Sequence, residues 1–343
     1  MQEKYKRSEN EIMQNWSSKE PILTIICITY NHKDFITRAI EGFLEQETNF
    51  AFEIFIHDDC SDDGTKEIIE SYATKYPNII KAFYEEENQY KKGANGRYFF
   101  GELSKMARKY IALCEGDDYW NDSKKLQLQV DFLENNPKFV ITYHSCSIID
   151  CNDNIVDFSI NDWAKFDYRD GKGYDMQRLH LCLPLRCVVY RNVIDFLEPN
   201  LMQYAKKIKN ADTFLWILLG EYGDVKYIKE IKPAFYRIHI GGVWSMVDEK
   251  EKHKMHTNSF YNMAEYFSIK GDVNLASYFL SLSMYYLSCA SSVDKMQYSD
   301  FTRIPKSILG HKSVYGGGYI HILTSWCYFS ATLQVFEKYK RAA

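Results

Sequence analysis

Apolar positions fall into two textures, and the first third of the chain repeats them in a fixed order. Residues 23–29, Leu-Thr-Ile-Ile-Cys-Ile-Thr, form a continuous and largely β-branched run, the mark of a strand covered on both faces. Phe35, Ile36, Ala39, Ile40, Phe43 and Leu44 follow at helical spacing and predict a helix with one buried stripe. The pair then recurs. Residues 53–57 predict a second strand, and Ile68, Ile69, Tyr72, Ala73 and Tyr76 line a helix that Pro77 stops. Residues 79–84 predict a third strand, 99–109 a helix, and 110–114 a fourth strand. Strand and helix alternating in this way predict an α/β fold with a Rossmann-like, mostly parallel central sheet flanked by helices.

The texture changes after Trp120. Residues 124–135 predict a helix and 139–149 a strand. Residues 151–179 are polar and aromatic with little periodicity, which is long for a loop and points to a functional segment. Residues 183–190 predict a strand, 211–219 a helix opening at Asp212, and 225–228 and 234–240 two further strands before Gly241-Gly242 breaks the chain. From 249 to 292 the pattern is helical, with Met263, Tyr266, Phe267, Leu275, Tyr278, Phe279, Leu282 and Tyr285 facing inward. A glycine-rich linker at 310–318 precedes a last helix at 319–340. The expected organisation is an arm over 1–20, an α/β domain over 21–245, and a C-terminal helical region over 246–343.

Composition narrows the function classes. Of 343 residues 46% are hydrophobic and 26% charged, ordinary for a chain that buries a core. The net charge of −4 gives no basic field, so nucleic acid is not an expected partner. The first twenty residues lack an apolar h-region, and nine cysteines is an odd count, so reduced thiols and a cytoplasmic location are expected. The C-x4-C spacings of Cys146/Cys151 and Cys182/Cys187 are weak zinc signals, and buried thiols explain them better. No run of 18 apolar residues predicts a spanning helix. The last helix mixes Trp326, Phe329 and Phe336 with many polar residues and ends in Lys338, Lys340 and Arg341. It fits peripheral contact with the inner face of the cell membrane. Packing on the protein or a homodimer through the C-terminal helices fits it as well.

The chemistry concentrates where the fourth strand ends. Glu115-Gly116-Asp117-Asp118-Tyr119-Trp120 follows 110–114 directly, and strand ends of open α/β sheets face the ligand crevice. Clustered carboxylates repel unless a positive group neutralises them. Mn²⁺ or Mg²⁺ is a natural answer, because a hard cation takes carboxylate oxygens and leaves room for phosphates. A solvated acidic turn is the competing explanation.

Four pieces in order resemble the inverting, nucleotide-sugar-dependent glycosyltransferases of family 2, which have the GT-A fold. They are Ile28-Thr29-Tyr30-Asn31, then Asp58-Asp59-x-Ser-x-Asp-Gly-Thr, then the acidic turn as a DXD-type motif, then Asp212; Tyr236-Arg237-x-His239 also fits. The resemblance covers about 21–245. It implies a nucleotide-sugar-binding half over 21–120 and an acceptor and catalytic half over 121–245. It implies donor contacts from Thr29, Tyr30, Asn31, Asp58, Asp59, Arg97, Glu115 and Asp117, with Asp59 and Tyr30 at a uracil base. Asp118 and Asp117 are the implied metal ligands, and His239 a third ligand or a phosphate donor. Where the family usually has Asp, this chain has Glu115. Asp212 matches the general base, although a helix N-cap is the plain alternative. A structural histidine is likewise the plain alternative for His239. Trp244 would flank the site as a lid hinged at Gly241-Gly242. The implied activity moves a hexosyl or N-acetylhexosaminyl group, most simply from a UDP-sugar, to a glycan or lipid-linked oligosaccharide in bacterial surface polysaccharide synthesis. Two other classes compete. A sugar nucleotidyltransferase would carry a glycine-rich loop where Asn31-His32-Lys33-Asp34 stands. A non-catalytic carbohydrate-binding scaffold would not need its acids intact.

Overall fold

The computed structural model describes residues 7–93, 108–156, 168–242 and 247–291. These divide into two compact units, one formed by 7–197 with 212–242 and the other by 198–211 with 247–291. Arg97, Trp244, all but the last two residues of the helix expected over 99–109, and the helix expected over 319–340 lie outside the described residues.

The first unit is built on β1 (Leu23–Thr29), β2 (Phe52–Asp58), β3 (Ile80–Tyr84), β4 (Tyr110–Leu113), β5 (Phe139–Tyr143), β6 (Cys146–Ile149), β7 (Val189–Arg191), β8 (Asp224–Tyr227) and β9 (Ala234–Arg237). Seven strands form one sheet in the order β3-β2-β1-β4-β7-β5-β8, and β6 pairs with β9 in a second. Within the large sheet the pairs β3–β2, β2–β1, β1–β4 and β5–β8 are parallel, and β7 runs antiparallel to both neighbours. The expected α/β class with a mostly parallel sheet is therefore the observed one.

Helices α1 (Glu9–Met13), α2 (Ile36–Leu44), α3 (Thr65–Lys75), α4 (Lys125–Asn135) and α5 (Gly173–Gln177) belong to this unit. Ile36, Ala39, Ile40, Phe43 and Leu44 of α2 are fully buried, as the helical stripe requires. They join Leu23, Ile25 and Cys27 of β1 and Ile54 and Ile56 of β2 in one core. Phe43 also meets Trp120 edge-on at 4.8 Å between ring centroids. This fixes the residue that ends the acidic turn. Each such side chain contributes about 1.5–3 kcal/mol by leaving water.

Three local features depart from the expected elements. The run at 139–149 is two strands in different sheets, because the chain leaves the large sheet at His144-Ser145. The run at 183–190 begins as a short 3₁₀ turn, Leu185–Cys187, after Pro184, whose missing N–H cannot join a ladder. The long helical stretch after 249 is two helices, α8 (Glu249–Ile269) and α9 (Val273–Ser291). Gly271 separates them at φ +80, and Asp272 accepts the Leu275 N–H at 2.9 Å to start the second. The second unit also contains α6 (Pro199–Ala205), which the apolar pattern did not reveal. Its signal is local: Glu198 accepts from the N–H groups of Asn200 and Leu201, and proline sits in the first turn.

Candidate active site

The acidic turn grows out of sheet pairing. Beyond β4 the chain keeps bonding to β1, with Cys114 N–H on Ile26 O at 3.1 Å and Gly116 N–H on Ile28 O at 3.1 Å. Glu115, Asp117 and Asp118 are thereby carried to the carboxyl end of the sheet, beside Thr29. Gly116 is required there, since a Cβ would stand 2.6 Å from Thr29 Oγ1 and 2.8 Å from Thr29 Cβ. Ligating oxygens of Glu115, Asp117 and Asp118 lie within 4.8 Å of one another.

Each acid has a different environment. Asp117 Oδ2 lies 3.0 Å from His239 Nε2 and 3.9 Å from His32 Nε2. Burial alone would raise the Asp117 carboxyl, but the His239 hydrogen bond and the two imidazoles outweigh it and hold it below the usual range. Gly241 donates its N–H to His239 Nδ1 at 3.2 Å, so the ring proton sits on Nε2 and points at Asp117. His32 is anchored by the Thr29 hydroxyl, 3.0 Å from its Nδ1. Burial pushes the His32 pKa down despite the pull of Asp117, which favours the neutral ring.

Asp118 is fully buried. Its Oδ1 accepts the Arg237 backbone N–H at 2.9 Å, and its Oδ2 lies 2.6 Å from Arg186 Nε. Burial, then Asp117 and Glu115, raise its pKa well above the ordinary range in spite of Arg186. Glu115 keeps half its side-chain surface accessible, yet it is crowded by protein atoms. That crowding, with the charge of Asp117, pushes it up to about 7. Arg237, 3% exposed, ties the turn down: its Nε donates to Asp117 O, Nη1 to Asp150 O and Nη2 to Asp153 at 2.7 Å.

Asp212 comes from elsewhere in the chain. It sits in the first turn of α7 (Ala211–Leu219), one residue inside the helix rather than at its cap. Its Oδ1 accepts the Thr213 N–H at 2.7 Å. Burial raises its pKa, while Thr213 and Arg186 pull it back. The charge of Asp212 also reaches Glu115 and adds to the rise of its pKa.

The expected donor residues divide into two groups. Asn31 and Asp58 hold loops together: Asn31 exchanges hydrogen bonds with Asp62 at 2.9 and 3.0 Å, and Asp58 takes the Ser61 N–H and hydroxyl. Asp59 lies at the end of β2, where burial raises its pKa and it accepts the N–H groups of Gln89 and Tyr90 at 2.7 and 3.0 Å. Tyr30 OH is 2.9 Å from Lys91 Nζ. His32 and Arg186 were not singled out in the sequence. The arginine carried a signal, because a lone guanidinium inside the apolar run 183–190 must find a buried acid.

The donor set fits a hard divalent cation. Asp117 Oδ1 and Asp118 Oδ2 are buried and lack a hydrogen bond, and the three carboxylates converge beside the single guanidinium of Arg186, which faces Glu115 and Asp118. His239 Nε2 faces Asp117 and its Nδ1 takes the Gly241 N–H, an arrangement that orients Asp117. Ligand atoms of His32, Asp117 and His239 also lie within 4.8 Å of one another, a second set able to hold a metal.

Known proteins share this architecture. A protein of Mycobacterium tuberculosis, itself uncharacterized, is 30% identical over 222 residues, 65% of this chain and 60% of that one. The chain thus spans about 60% of the length of that relative. The Escherichia coli UDP-Glc:alpha-D-GlcNAc-diphosphoundecaprenol beta-1,3-glucosyltransferase WfaP is 36% identical over 119 residues, 34% of this chain and 43% of WfaP. The fold matches Staphylococcus aureus TarS, solved with UDP-GlcNAc, at a TM-score of 0.53 and 16% identity over 81% of this chain and 77% of that one. The family model described as glycosyl transferase family 2 matches residues 24–196, half of the sequence, and ends before Asp212. The chain therefore belongs to glycosyl transferase family 2, and its fold is GT-A.

Proposed function

We propose that this chain is a divalent-metal-dependent, inverting glycosyltransferase and transfers a sugar from a UDP-sugar to a hydroxyl of a lipid-linked glycan in surface polysaccharide assembly. The observation that carries the reading is the convergence of Glu115, Asp117 and Asp118, with a buried Asp212 whose charge reaches Glu115. Asp117 and Asp118, on the turn after β4, have the unpartnered oxygens that suit Mn²⁺ or Mg²⁺. Asp212, on α7, stands apart from the turn in sequence and suits a proton acceptor.

The bound metal would neutralise charge gathering on the departing diphosphate. Asp212 takes the proton of the acceptor hydroxyl as that oxygen attacks the anomeric carbon from the face opposite the leaving group. A single displacement of this kind inverts the anomeric centre and needs no covalent nucleophile. His239 holds the Asp117 carboxylate in place, and Arg237 fixes the turn. Tyr30 and Asp59 would receive the base, by stacking and by accepting the uracil N–H; Arg97 and Glu115 are further donor contacts in this reading, and Trp244 its lid. WfaP supports both the UDP donor and the lipid-diphosphate acceptor, since its name records a UDP-glucose donor and a GlcNAc-diphosphoundecaprenol acceptor, together with a β-linked product. A peripheral contact of 319–341 with anionic lipid would bring the enzyme to such an acceptor.

The test is a panel of sugar nucleotides assayed for nucleotide release with Mn²⁺, Mg²⁺ or chelator, followed by NMR of the product. The expected result is metal-dependent release of UDP and a β-linkage from an α-linked donor. Release in chelator at the full rate, tighter calorimetric binding of GDP than UDP, or a retained anomeric configuration would each overturn the corresponding part.

A further inference from the structure

Arg186 stands where the acidic turn needs a cation. Its Nε is 2.6 Å from Asp118 Oδ2 and its Nη2 3.8 Å from Glu115 Oε2, while its Cζ lies 4.1 Å over the Tyr236 ring. Glu115 and Asp118 are two of the three carboxylates that converge on one point. Arg186 is 11% exposed at the side chain and Asp118 not at all. The approach is nevertheless off-line, because neither Arg186 Nε nor Asp118 Oδ2 has an aligned hydrogen bond, and both are out of water. A close but misaligned buried pair recovers little of what desolvating both charges costs. The guanidinium cannot escape by losing its proton. A divalent cation entering between Glu115 and Asp118 meets a fixed like charge a few ångströms away.

We propose that Arg186 competes with the divalent cation for Asp118, so that the acidic turn holds metal firmly only once the donor diphosphate draws the guanidinium to itself. The proposal rests on the metal-dependent reading above. The Arg186 backbone is pinned, with its carbonyl accepting Trp120 Nε1–H at 2.7 Å and Pro184 preceding the turn. The side chain can therefore turn while the main chain stays. A planar guanidinium matches two phosphate oxygens at once, a better partner than one misaligned carboxylate oxygen. Metal and nucleotide then tighten each other's binding reciprocally. Arg186 is a positioning residue in this account, acting through Asp118 and the diphosphate. The arrangement keeps the turn from capturing metal before donor arrives.

Mn²⁺ binding followed by electron paramagnetic resonance tests it, with and without saturating UDP, on the wild type, Arg186→Gln and Arg186→Lys. Arg186→Gln is expected to bind Mn²⁺ alone about tenfold tighter or more than the wild type, because one nearby like charge is gone. UDP should then tighten Mn²⁺ on Arg186→Gln by a markedly smaller factor than on the wild type and on Arg186→Lys, because only the phosphate ligands and not the removal of a competing cation contribute. Wild-type or weaker Mn²⁺ affinity in a folded Arg186→Gln overturns the proposal. Should that variant fail to fold, the Arg186 Nε–H resonance of the wild type decides. It is expected to shift with Mg²⁺ and UDP together, and saturation of that shift by Mg²⁺ alone overturns the proposal. Absence of Mn²⁺ binding by the wild type with UDP overturns this proposal and the metal reading together. Mn²⁺ binding by that complex with no effect of Arg186→Gln overturns only this one.

Discussion

At the scale of single residues the transfer reading turns on Asp212. Its carboxylate keeps the Thr213 N–H in the first turn of α7, and burial holds its pKa above the ordinary aspartate value. A base must be ionised to accept a proton, so activity is present above that raised pKa and lost as the pH falls through it. The acid limb of kcat/KM is thus expected at a midpoint above the ordinary aspartate value. Asp212→Asn should lower kcat by about a hundredfold or more, in line with general base contributions, with UDP affinity unchanged by calorimetry. A large loss of UDP affinity would place Asp212 with the donor instead. Asp118→Asn makes the complementary case. Burial and its acidic neighbours raise the Asp118 pKa, so its ionised form opposes folding at neutral pH, and stability linked to it is lost as pH rises through the raised value. The amide keeps an acceptor for the Arg237 N–H. Asp118→Asn should abolish metal-dependent transfer with a melting temperature no lower than wild type, and a lower one would show the charge to be structural.

At the scale of elements the acidic turn is supported from behind by α4. Lys125, its first residue, is fully buried with Nζ 2.7 Å from Gln129 Oε1 and 4.1 Å over the Trp120 ring. Burial lowers its pKa to about 7. Unfolding returns this lysine to its ordinary value, so between about pH 7 and 10 the unfolded chain binds the extra proton. Stability therefore rises with pH in that window, by up to about 1.4 kcal/mol per pH unit from this group. Lys125→Met should remove that slope, seen as the difference between wild-type and variant denaturant midpoints from pH 7 to 9. Equal slopes would mean that the lysine stays charged inside. Among the elements, α2 and the four early strands were legible because one periodicity decides each. The split of β5 from β6 was not, since an apolar run reads the same whether its strand stays in one sheet or crosses to another. The 3₁₀ turn at 185–187 was hidden for a similar reason, with only Pro184 to mark it.

At the scale of the whole molecule the two units interleave along the chain, since 198–211 joins 247–291. Ser259 takes the N–H groups of Lys209 and Asn210 and bonds Asn210 Oδ1 at 3.0 Å, while Tyr204 packs against Tyr266. Leu201 and Tyr204 are buried in that unit, at about 1.5–3 kcal/mol each. A protein ending at residue 246 would leave 198–211 without this partner. It is expected to melt at a lower temperature than the full chain and to bind a hydrophobic dye, and an unchanged melting temperature would show 198–211 to be self-sufficient. No helix among the described residues is long and apolar enough to cross a membrane. Removal of 318–343 tests the peripheral contact. Loss of sedimentation with anionic liposomes at an unchanged melting temperature supports it. A collapsed melting temperature, or no liposome binding by the full chain, assigns 319–341 to the core or to a dimer.

The sequence by itself determined the α/β class, the early alternation of strands and helices and the acidic turn, because periodicity, Gly116 and adjacent carboxylates are local properties that any fold must respect. It also carried the family resemblance through 28–31, 58–65, 115–120 and Asp212. Only the tertiary structure decided which atoms of those residues are free. Asn31 and Asp58, read as donor contacts in the sequence, also bond Asp62 and Ser61 in the fold, whereas His32 and Arg186 look like bystanders and stand against Asp117 and Asp118. The reason is physical. A charge in a buried site is assigned by what surrounds it in space, and Arg186 lies 68 positions from Asp118 along the chain but 2.6 Å from it in the fold.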